Sequence, residues 1–279
     1  MKVLTLNTHA WMEEEPEVKL NQIADFISKE DFDLIALQEI NQTIESKEVE
    51  DDLFVNPTGD VEPIALKEDN FALLLVRLLK ERGLPYYWSW TANHIGYGKF
   101  DEGVAILSKT PFSSESILVS DSTDYANHLT RRVLKAKTDI KDREWVVFSC
   151  HYSWWKGPEG DPLFQTEWDH TLPHIQSEKE SVHLLMGDFN NEASLSGEGY
   201  TYLKETAPQL VDAYQEAEER IGSATVLSDI DGWEGHTDEK RIDFVFTDYT
   251  EGIQTCRVVF DGKKEPVVSD HFGVAVTFK

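Results

Sequence analysis

The stretch HLLMGDFN, residues 183–190, is a short apolar run that ends in a carboxylate and an amide. An apolar run of this length, closed by glycine, predicts a buried β-strand. Asp188 and Asn190 are two residues apart, so both point to the same side if the stretch is extended. An Asx-turn at the end of the strand would explain one of these side chains, but not both together with Gly187. We therefore predict that this strand delivers two polar side chains to one site.

Five other predicted strands carry a polar residue at or near one end in the same way. They are VLTLN (3–7), LIALQE (34–39), VVFSCH (146–151), RIDFVF (241–246) and VVSDH (267–271). One strand that ends in a carboxylate is commonplace. Six strands that each bring a carboxylate, a histidine or an amide to an edge indicate one shared site. Carboxylate and amide oxygens suit Mg²⁺ or Mn²⁺ better than Zn²⁺.

The chain has 279 residues and an acidic balance. A β-rich domain of this length can bury one core, and no linker or repeat divides the sequence, so we expect a single domain over residues 1–279. Its 52 acidic and 26 basic residues give a formal net charge of -26. Proteins that grip nucleic acid neutralise phosphates with clustered Lys and Arg, and Arg131 and Arg132 are the only adjacent arginines here. Nucleic acid is therefore not the expected partner, although a local basic groove would leave a nuclease open.

The two cysteines and the start of the chain bear on location. Cys150 and Cys256 lie in apolar stretches, which predicts buried thiols rather than a disulfide framework. No run approaches the ~18 apolar residues of a membrane span. Met1 leads directly into a strand-like stretch without the pattern of a secretory signal. We expect a cytoplasmic enzyme without a membrane partner; a monomer is compatible with these facts, and the oligomeric state stays open.

Apolar strands alternate with amphipathic helices along the chain. Periodicity predicts helices around residues 20–27, 70–82, 163–178, 199–207 and 211–220. The segment TDIKDREW (138–145) is typical of a hairpin turn, and residues 41–68 are predicted to form a long surface loop at the rim of the site. Periodicity alone supports an α/β domain with two β-rich halves.

Several motifs occur in an order that resembles a known superfamily. They are LNTHAW (6–11), LQE (37–39), MGDFN (186–190), RIDFVF (241–246) and SDH (269–271). Together they resemble the endonuclease/exonuclease/phosphatase superfamily, which includes DNase I-like nucleases, exonuclease III, sphingomyelinases and inositol-phosphate phosphatases. The resemblance runs from residue 3 to the C-terminus. It implies an α/β (α+β) fold of the DNase I type: a four-layer αββα sandwich of two mainly antiparallel or mixed sheets flanked by helices, with the site at one end.

The resemblance also implies a metal and a water-activating group. Glu39, Asn7 and Asp270 are expected to hold Mg²⁺ or Mn²⁺, whereas taken singly Glu39 would be an exposed strand end and Asn7 a turn cap. Asp188 is expected to orient or deprotonate the attacking water. Asn190 is expected to donate to a phosphoryl oxygen.

Two histidines complete the implied catalytic set. His271 is the expected general base or acid, because imidazole exchanges protons near neutral pH, and Asp243 is its expected orienting partner. His151 corresponds to the second histidine of the superfamily, a donor to the phosphate. Glu102, in DEGVAIL (101–107), is expected to form a hydrogen bond with His151.

The substrate prediction depends on the segment HYSWWKGPEGDPLFQTEWDH (151–170). Its tryptophans Trp154, Trp155 and Trp168 suit the stacking of a sugar, although they could equally stack nucleobases or pack a core. We take Trp154, Trp155 and Arg132 as candidate substrate contacts. The segments NTHAW, HYSWW and DGWEG resemble the sugar-phosphate branch of the superfamily, which includes maltose 6′-phosphate phosphatase.

The function expected from this resemblance is intracellular removal of phosphate from a phosphorylated sugar, namely maltose 6′-phosphate or a related disaccharide phosphate. A Mg²⁺-dependent nuclease of the exonuclease III or DNase I type and a sphingomyelinase-like phosphodiesterase remain alternatives. A binding protein without activity would be expected to have lost some of the ligands, and none of the main ones is missing.

Overall fold

Two seven-stranded β-sheets face each other and are flanked by helices. The computed structural model describes residues 1–59, 63–227, 239–249 and 251–279. The strands are β1 (Lys2–Asn7), β2 (Leu34–Thr43), β3 (Thr58–Gly59), β4 (Tyr87–Gly96), β5 (Phe100–Ser108), β6 (Phe112–Leu118), β7 (Arg132–Ile140), β8 (Arg143–His151), β9 (Val182–Asp188), β10 (Val211–Asp212), β11 (Glu219–Ile221), β12 (Asp243–Thr247), β13 (Ile253–Val259) and β14 (Gly273–Phe278). The helices are α1 (Pro16–Glu30), α2 (Phe71–Glu81), α3 (Leu163–Gln176), α4 (Gly199–Thr206) and α5 (Ala213–Glu216).

Both sheets are mixed and have a parallel pair near the centre. The first has the order β11-β13-β14-β1-β2-β5-β4, and the second has the order β10-β12-β9-β8-β7-β6-β3. Strand β1 runs parallel to β2, and β8 runs parallel to β9. In the second pair His151 lies opposite Asp188, and Asp188 also lies opposite Asp243 of the antiparallel strand β12. This register brings polar strand ends together at one edge.

Three apolar layers hold the four structural layers together. Leu4 and Leu6 of β1 pack with α1 and α2, whereas Val3 of the same strand faces the second sheet. On β9, Met186 faces the first sheet and Leu185 packs with α3 and α4. The central strands are buried on both faces, which explains their nearly continuous apolar sequences. The expected αββα sandwich is confirmed.

Most predicted elements are confirmed, with three corrections. The strand predicted over residues 267–271 is wrong, because these residues form an irregular segment between β13 and β14, so Asp270 and His271 lie in a loop. The helix predicted near 211–220 is wrong: Val211 pairs with Thr247 on the sheet edge, α5 is one turn long, and β11 follows. Edge pairing therefore overrides the helical pattern there. The segment 41–68 is irregular over most of its described part, but residues 41–43 complete β2, Thr58–Gly59 form β3, and the segment is not only a surface loop. Leu53 and Phe54 are partly buried against the first core layer.

The predicted hairpin turn and the predicted buried thiols are both present in the structure. Lys141 and Asp142 both have positive φ in the β7–β8 hairpin, as a two-residue type I′ turn requires. Cys150 and Cys256 are buried and form no disulfide. Within the described ranges, none of the helices has the length and apolar character needed to cross a membrane.

Gly187 marks the closest approach of β9 to β8. Its φ is 153°, and a Cβ atom at this position would lie 1.9 Å from the carbonyl oxygen of Cys150. Backbone atoms of two central strands cannot move apart without breaking the sheet. Only glycine fits, one residue before Asp188.

We expect Gly187→Ala to lower the free energy of unfolding by at least about 2 kcal/mol, because the backbone clash adds to the φ strain. Gly98 is the matched control: it has a φ of 67° in the β4–β5 turn, and a Cβ atom there would meet nothing within 4 Å. Gly98→Ala should cost only the conformational strain, about 1 kcal/mol. Urea unfolding of both variants measures the difference, and equal losses would contradict the close-approach argument.

Candidate active site

The polar strand ends converge on one pocket at the end of the sandwich. The pocket has a volume of about 250 Å³. Of the residues predicted from the sequence, it is lined by Glu39, Glu102, His151, Trp154, Asp188, Asn190, Asp270 and His271. Asn7 and Asp243 stand behind this lining, where Asn7 contacts Glu39 and Asp188, and Asp243 contacts His271. The sequence prediction therefore identified most of the pocket.

Strained backbone turns some of these side chains inward. Glu39 and Asn190 have φ angles of 50° and 49°, which non-glycine residues rarely adopt. The pairing of β2 with β5 shifts register between Leu37 and Ile40, so Glu39 lies in a bulge. Bulges re-aim side chains beside active sites, and each left-handed residue costs about 1–2 kcal/mol. Both strained residues, Glu39 and Asn190, line the pocket.

Glu39 has the features of a metal ligand. Its Oε1 accepts a hydrogen bond from Asn7 Nδ2 at 2.9 Å, but its Oε2 is buried without any partner. Burial, with the neighbouring charges of Glu102 and Asp270, raises the pKa of Glu39 to about 8. A buried carboxylate with an unsatisfied oxygen is costly unless a cation binds it. The oxygen donors of Glu39 and Asp270 fit a hard divalent cation.

Asn7 has a different place from the one predicted. Its Nδ2 donates to Glu39 and, at 3.2 Å, to Asp188 Oδ2. Its Oδ1 accepts the backbone N–H of His9 at 3.2 Å. The amide therefore holds two carboxylates in place and does not offer its oxygen to a cation in this arrangement. The structure shows Asn7 as an orienting group, and its role as a metal ligand stays a prediction.

His271 and Asp243 form a buried pair. His271 Nδ1 donates to Asp243 Oδ2 at 3.0 Å, and the other ring nitrogen lies 3.7 Å from Asp188 Oδ2. Burial lowers the pKa of His271, but the charges of Asp243 and Asp188 outweigh it and hold the pKa well above its usual value. The carboxylate of Asp243 thus fixes the ring with Nε2 directed at the pocket.

Asp188 is held by the residues around it. Its Oδ1 accepts the backbone N–H of Asn190 at 2.8 Å, and its Oδ2 accepts from Asn7. Burial raises the pKa of Asp188 to about 7, although the charge of His271 acts in the opposite direction. Asn190 Nδ2 donates to the carbonyl of Tyr152 at 2.9 Å, so this amide also fixes the chain after β8.

His151 lies at the centre of the pocket, but Glu102 is not its partner. His151 Nε2 is 3.7 Å from Asp188 Oδ2 and 3.9 Å from Glu39 Oε1. Glu102 instead lies 3.3 Å from His94 Nε2, because the β4–β5 register places His94 and Glu102 opposite each other. The predicted Glu102–His151 hydrogen bond is therefore wrong. Burial, then the charge of Arg131, lowers the pKa of His151 well below its usual value.

Of the two adjacent arginines, Arg131 and not Arg132 lines the pocket. Arg132 donates through Nη1 to Ser116 Oγ at 3.2 Å and lines a separate cavity of about 380 Å³ between β4 and β6. Arg131 lines the active-site pocket, where its Nη1 lies 3.5 Å from His151 Nδ1. Successive residues of an extended chain point to opposite sides. The prediction of Arg132 as a substrate contact is corrected to Arg131.

Only one tryptophan of the tryptophan-rich segment faces the pocket. Trp154 lines it, and the indole Nε1 of Trp154 is buried without a hydrogen-bond partner. Trp155 packs against Phe164 and Tyr202, so its prediction as a substrate contact is wrong. Trp168 of α3 is buried in the core and donates to Thr206 Oγ1. The segment DGWEG (231–235) lies outside the described residues.

The sequence interpretation missed a cluster beside the candidate metal ligands. His9 Nδ1 lies 2.7 Å from Glu13 Oε1, and the same oxygen accepts the backbone N–H of Asp270 at 3.1 Å. Lys19 also pairs with Glu13. Burial lowers the pKa of His9, but the hydrogen bond to Glu13 and the charge of Asp270 outweigh it and raise the pKa to about 9. This network positions Asp270, and Glu13 could not be singled out within its run of acidic residues.

Glu167 of α3 supports the pocket from behind. Its Oε2 accepts the backbone N–H of Ser153 at 2.7 Å, while its Oε1 is buried without a partner. Arg131 Nε donates to Ser153 Oγ at 3.4 Å, so Glu167 fixes the residue that holds the arginine. Burial raises the pKa of Glu167 to about 7, although the charge of Arg131 opposes this.

The chain is similar to proteins of one family. The sequence model of the Endonuclease/Exonuclease/phosphatase family matches residues 11–271, and no curated protein matches the chain. An endonuclease/exonuclease/phosphatase family protein from Leptotrichia buccalis is 29% identical and has a TM-score of 0.84; the match covers 100% of this chain and 99% of that one.

Two more distant structures share the fold. The mannosyl-6-phosphatase Bt3783 of Bacteroides thetaiotaomicron is 18% identical with a TM-score of 0.66, over 100% of this chain and 99% of that one. TDP2 of D. rerio, in complex with a single-strand DNA product, is 13% identical and has a TM-score of 0.65; the match covers 100% of this chain and 98% of that one.

We expect the buried Glu167 to make stability depend on pH. Because its folded-state pKa is about 7 against an ordinary 4.5, the folded state holds the proton more tightly, and stability falls as pH rises between these values. Relative to Glu167→Gln, the wild type should lose up to about 3 kcal/mol of unfolding free energy over this window. Urea unfolding at several pH values measures the difference. The exposed Glu159→Gln is the control, and parallel curves for Glu167→Gln and wild type would contradict the prediction.

Proposed function

This chain belongs to the endonuclease/exonuclease/phosphatase family, and we propose that it is a divalent-metal-dependent phosphomonoesterase that removes phosphate from a phosphorylated sugar. The observation that carries the proposal is the content of the pocket. A carboxylate with an unpartnered buried oxygen and an imidazole–carboxylate pair meet at a pocket of about 250 Å³, which the side chain of Trp154 also lines. A pocket of this size suits one phosphate and the sugar that carries it.

The residues supply the parts that phosphate-ester hydrolysis needs. A divalent cation at Glu39 and Asp270 would supply positive charge that stabilises the phosphoryl oxygens as the ester bond breaks. Asp188 is fixed by Asn7 and Asn190, and it orients the attacking water. Asp243 holds the Nδ1 side of His271, so the Nε2 side of that ring is free to exchange a proton with the reacting group.

The charge of the chain supports a small substrate over nucleic acid. The net charge is -26, and four carboxylates line the pocket, Glu39, Glu102, Asp188 and Asp270. A long polyanion gains affinity by displacing counterions from many phosphates, which requires many basic groups. The fold shared with a DNA-bound TDP2 keeps a nuclease as the second candidate. Against it, the sequence has no stripe of lysines and arginines that could follow a nucleic-acid backbone.

The proposed substrate is maltose 6′-phosphate or a related disaccharide phosphate. Trp154 supports this choice, because a flat indole with a free N–H suits the face and hydroxyl groups of a sugar. The similarity in fold to a mannosyl-6-phosphatase is compatible with it. We place the reaction in the cytoplasm, where free thiols such as Cys150 and Cys256 persist.

We expect the Mg²⁺-loaded protein to release phosphate from a sugar-phosphate panel far faster than it cleaves plasmid DNA, duplex oligonucleotide or sphingomyelin. Trp154→Ala should raise KM for the best sugar phosphate about tenfold with little change in kcat, because stacking on the non-reacting sugar holds ground and transition states alike. Trp155→Ala should lower the melting temperature and leave KM unchanged. Efficient DNA cleavage with all sugar phosphates untouched would overturn the substrate proposal.

We also expect Glu39→Gln to weaken Mn²⁺ binding at least about tenfold and to lower kcat/KM by about 10²-fold or more, since a neutral amide is a poor ligand for a hard cation. Calorimetric titration with Mn²⁺ and phosphate-release assays measure the two effects. Exposed Glu14→Gln changes the net charge equally and should alter neither. Full turnover in excess EDTA, or wild-type Mn²⁺ affinity in Glu39→Gln, would show that Glu39 holds no essential metal.

A further inference from the structure

Arg131 is a buried cation without a carboxylate partner. Its residue is 5% exposed. Its guanidinium contacts are Ser153 Oγ at 3.4 Å from Nε and the ring nitrogen His151 Nδ1 at 3.5 Å from Nη1. In the described part of the chain no carboxylate lies within ion-pair distance of it. By contrast, Arg241 pairs with Asp212 at 2.7 Å.

An unpaired guanidinium in this environment is costly. Removing a charge from water costs several kcal/mol unless an opposite charge or several hydrogen bonds compensate. The two groups in direct contact with Arg131 are neutral, and the carboxylates of Glu102 and Glu167 act on its charge only from beyond ion-pair distance. The side chain is nevertheless held in place, because Glu167 fixes Ser153 and Ser153 accepts from Nε. Arg131 lines the pocket, so the fold places a fixed guanidinium at the pocket wall.

Arg131 is also distinct among the groups that line this pocket. Four carboxylates line it, and within the described ranges Arg131 is the one lining side chain that carries a permanent positive charge. His271 also lines the pocket with a raised pKa, but its charge is engaged by Asp243. A planar guanidinium can donate two parallel hydrogen bonds to two oxygens of one phosphate. A guanidinium binds carboxylates and phosphates in this way, and its place beside the carboxylates that could hold a divalent cation favours a phosphate.

We propose that Arg131 binds the non-bridging oxygens of a terminal phosphate and is the residue by which the site selects a phosphomonoester over a phosphodiester. The inference rests on the proposed phosphatase function and assigns the preference for monoesters over diesters to Arg131. A monoester is a dianion with three non-bridging oxygens at neutral pH, so it can satisfy a metal and Arg131 together. A diester has one negative charge and two such oxygens, and its second ester group would occupy the position facing the guanidinium.

The chain offers a matched control next to this residue. Arg131 and Arg132 are adjacent, both 5% exposed, and directed to different cavities. The variants are Arg131→Gln, Arg131→Lys and Arg132→Lys, each checked by thermal unfolding. Inorganic phosphate and dimethyl phosphate are titrated calorimetrically into the Mg²⁺-loaded protein at about pH 8, where phosphate is mainly a dianion. Turnover of p-nitrophenyl phosphate is compared with that of bis(p-nitrophenyl) phosphate.

We expect Arg131→Gln to weaken inorganic phosphate binding at least about tenfold, the scale of a lost charge-assisted hydrogen-bond pair, and to weaken dimethyl phosphate binding less than about threefold. The kcat/KM for the monoester should fall about 10²-fold and that for the diester several times less. Arg131→Lys should be intermediate, because it keeps the charge but not the paired donors. Arg132→Lys should stay within about threefold of wild type for both phosphates.

Several outcomes would overturn the inference. These are equal losses for the monoester and the diester, unchanged phosphate affinity in Arg131→Gln, equal wild-type affinity for the two phosphates, or the same selectivity change in Arg132→Lys. A failure of the proposed phosphatase function can be told apart from a failure of this inference. If Arg131 controls phosphate binding as expected while no sugar phosphate is hydrolysed, the substrate proposal is wrong and the role of Arg131 stands.

Discussion

The site depends on holding several buried carboxylates close together. Asp188 and Asp243 lie opposite each other across β9 and β12, and Glu39 approaches the same point from the other sheet. Mutual repulsion and burial would drive such groups to take up protons. Asn7 and His271 offset part of this cost through hydrogen bonds and opposite charge. What remains unsatisfied is Glu39 Oε2, and this is where a cation fits.

The architecture explains why these groups meet. Two parallel pairs, β1–β2 and β8–β9, lie in facing sheets and end at the same edge, and β12 joins that edge with Asp243 as its first residue. Gly187 lets β9 approach β8 closely enough for Asp188 to lie beside His151. Alternating side chains bury both faces of these strands, so a polar residue inside a strand needs a partner in the protein, as Thr5 has in Gln38, and most of the polar residues that meet the pocket lie at or beyond the strand ends. The same strand pairings that form the two sheets therefore bring the pocket residues together.

The parts that could be predicted from the sequence are those that depend on periodicity and order. Continuous apolar runs with polar ends predict buried strands that share an edge, and the residues at Asp188, Asp243 and His271 lie together as expected. The errors arise from register. A shift between Ala92 and His94 in the β4–β5 pairing sets His94 against Glu102, and no local pattern shows such a bulge. Likewise, the single step from Arg131 to Arg132 reverses which cavity the side chain enters.

The same bulges connect backbone strain with selectivity. One bulge in β2 turns Glu39 inward, and the other in β4 brings His94 to Glu102, which keeps that carboxylate engaged. Were Glu102 to pair with Arg131 instead, the guanidinium would be neutralised by the protein and would have little left to offer a ligand. The chain thus combines a strongly negative net charge with an arginine in the pocket that has no carboxylate within ion-pair distance among the described residues. Such an arrangement favours a small, doubly charged phosphate that reaches the metal ligands and Arg131 together, and it disfavours a long polyanion that must first cross the acidic surface.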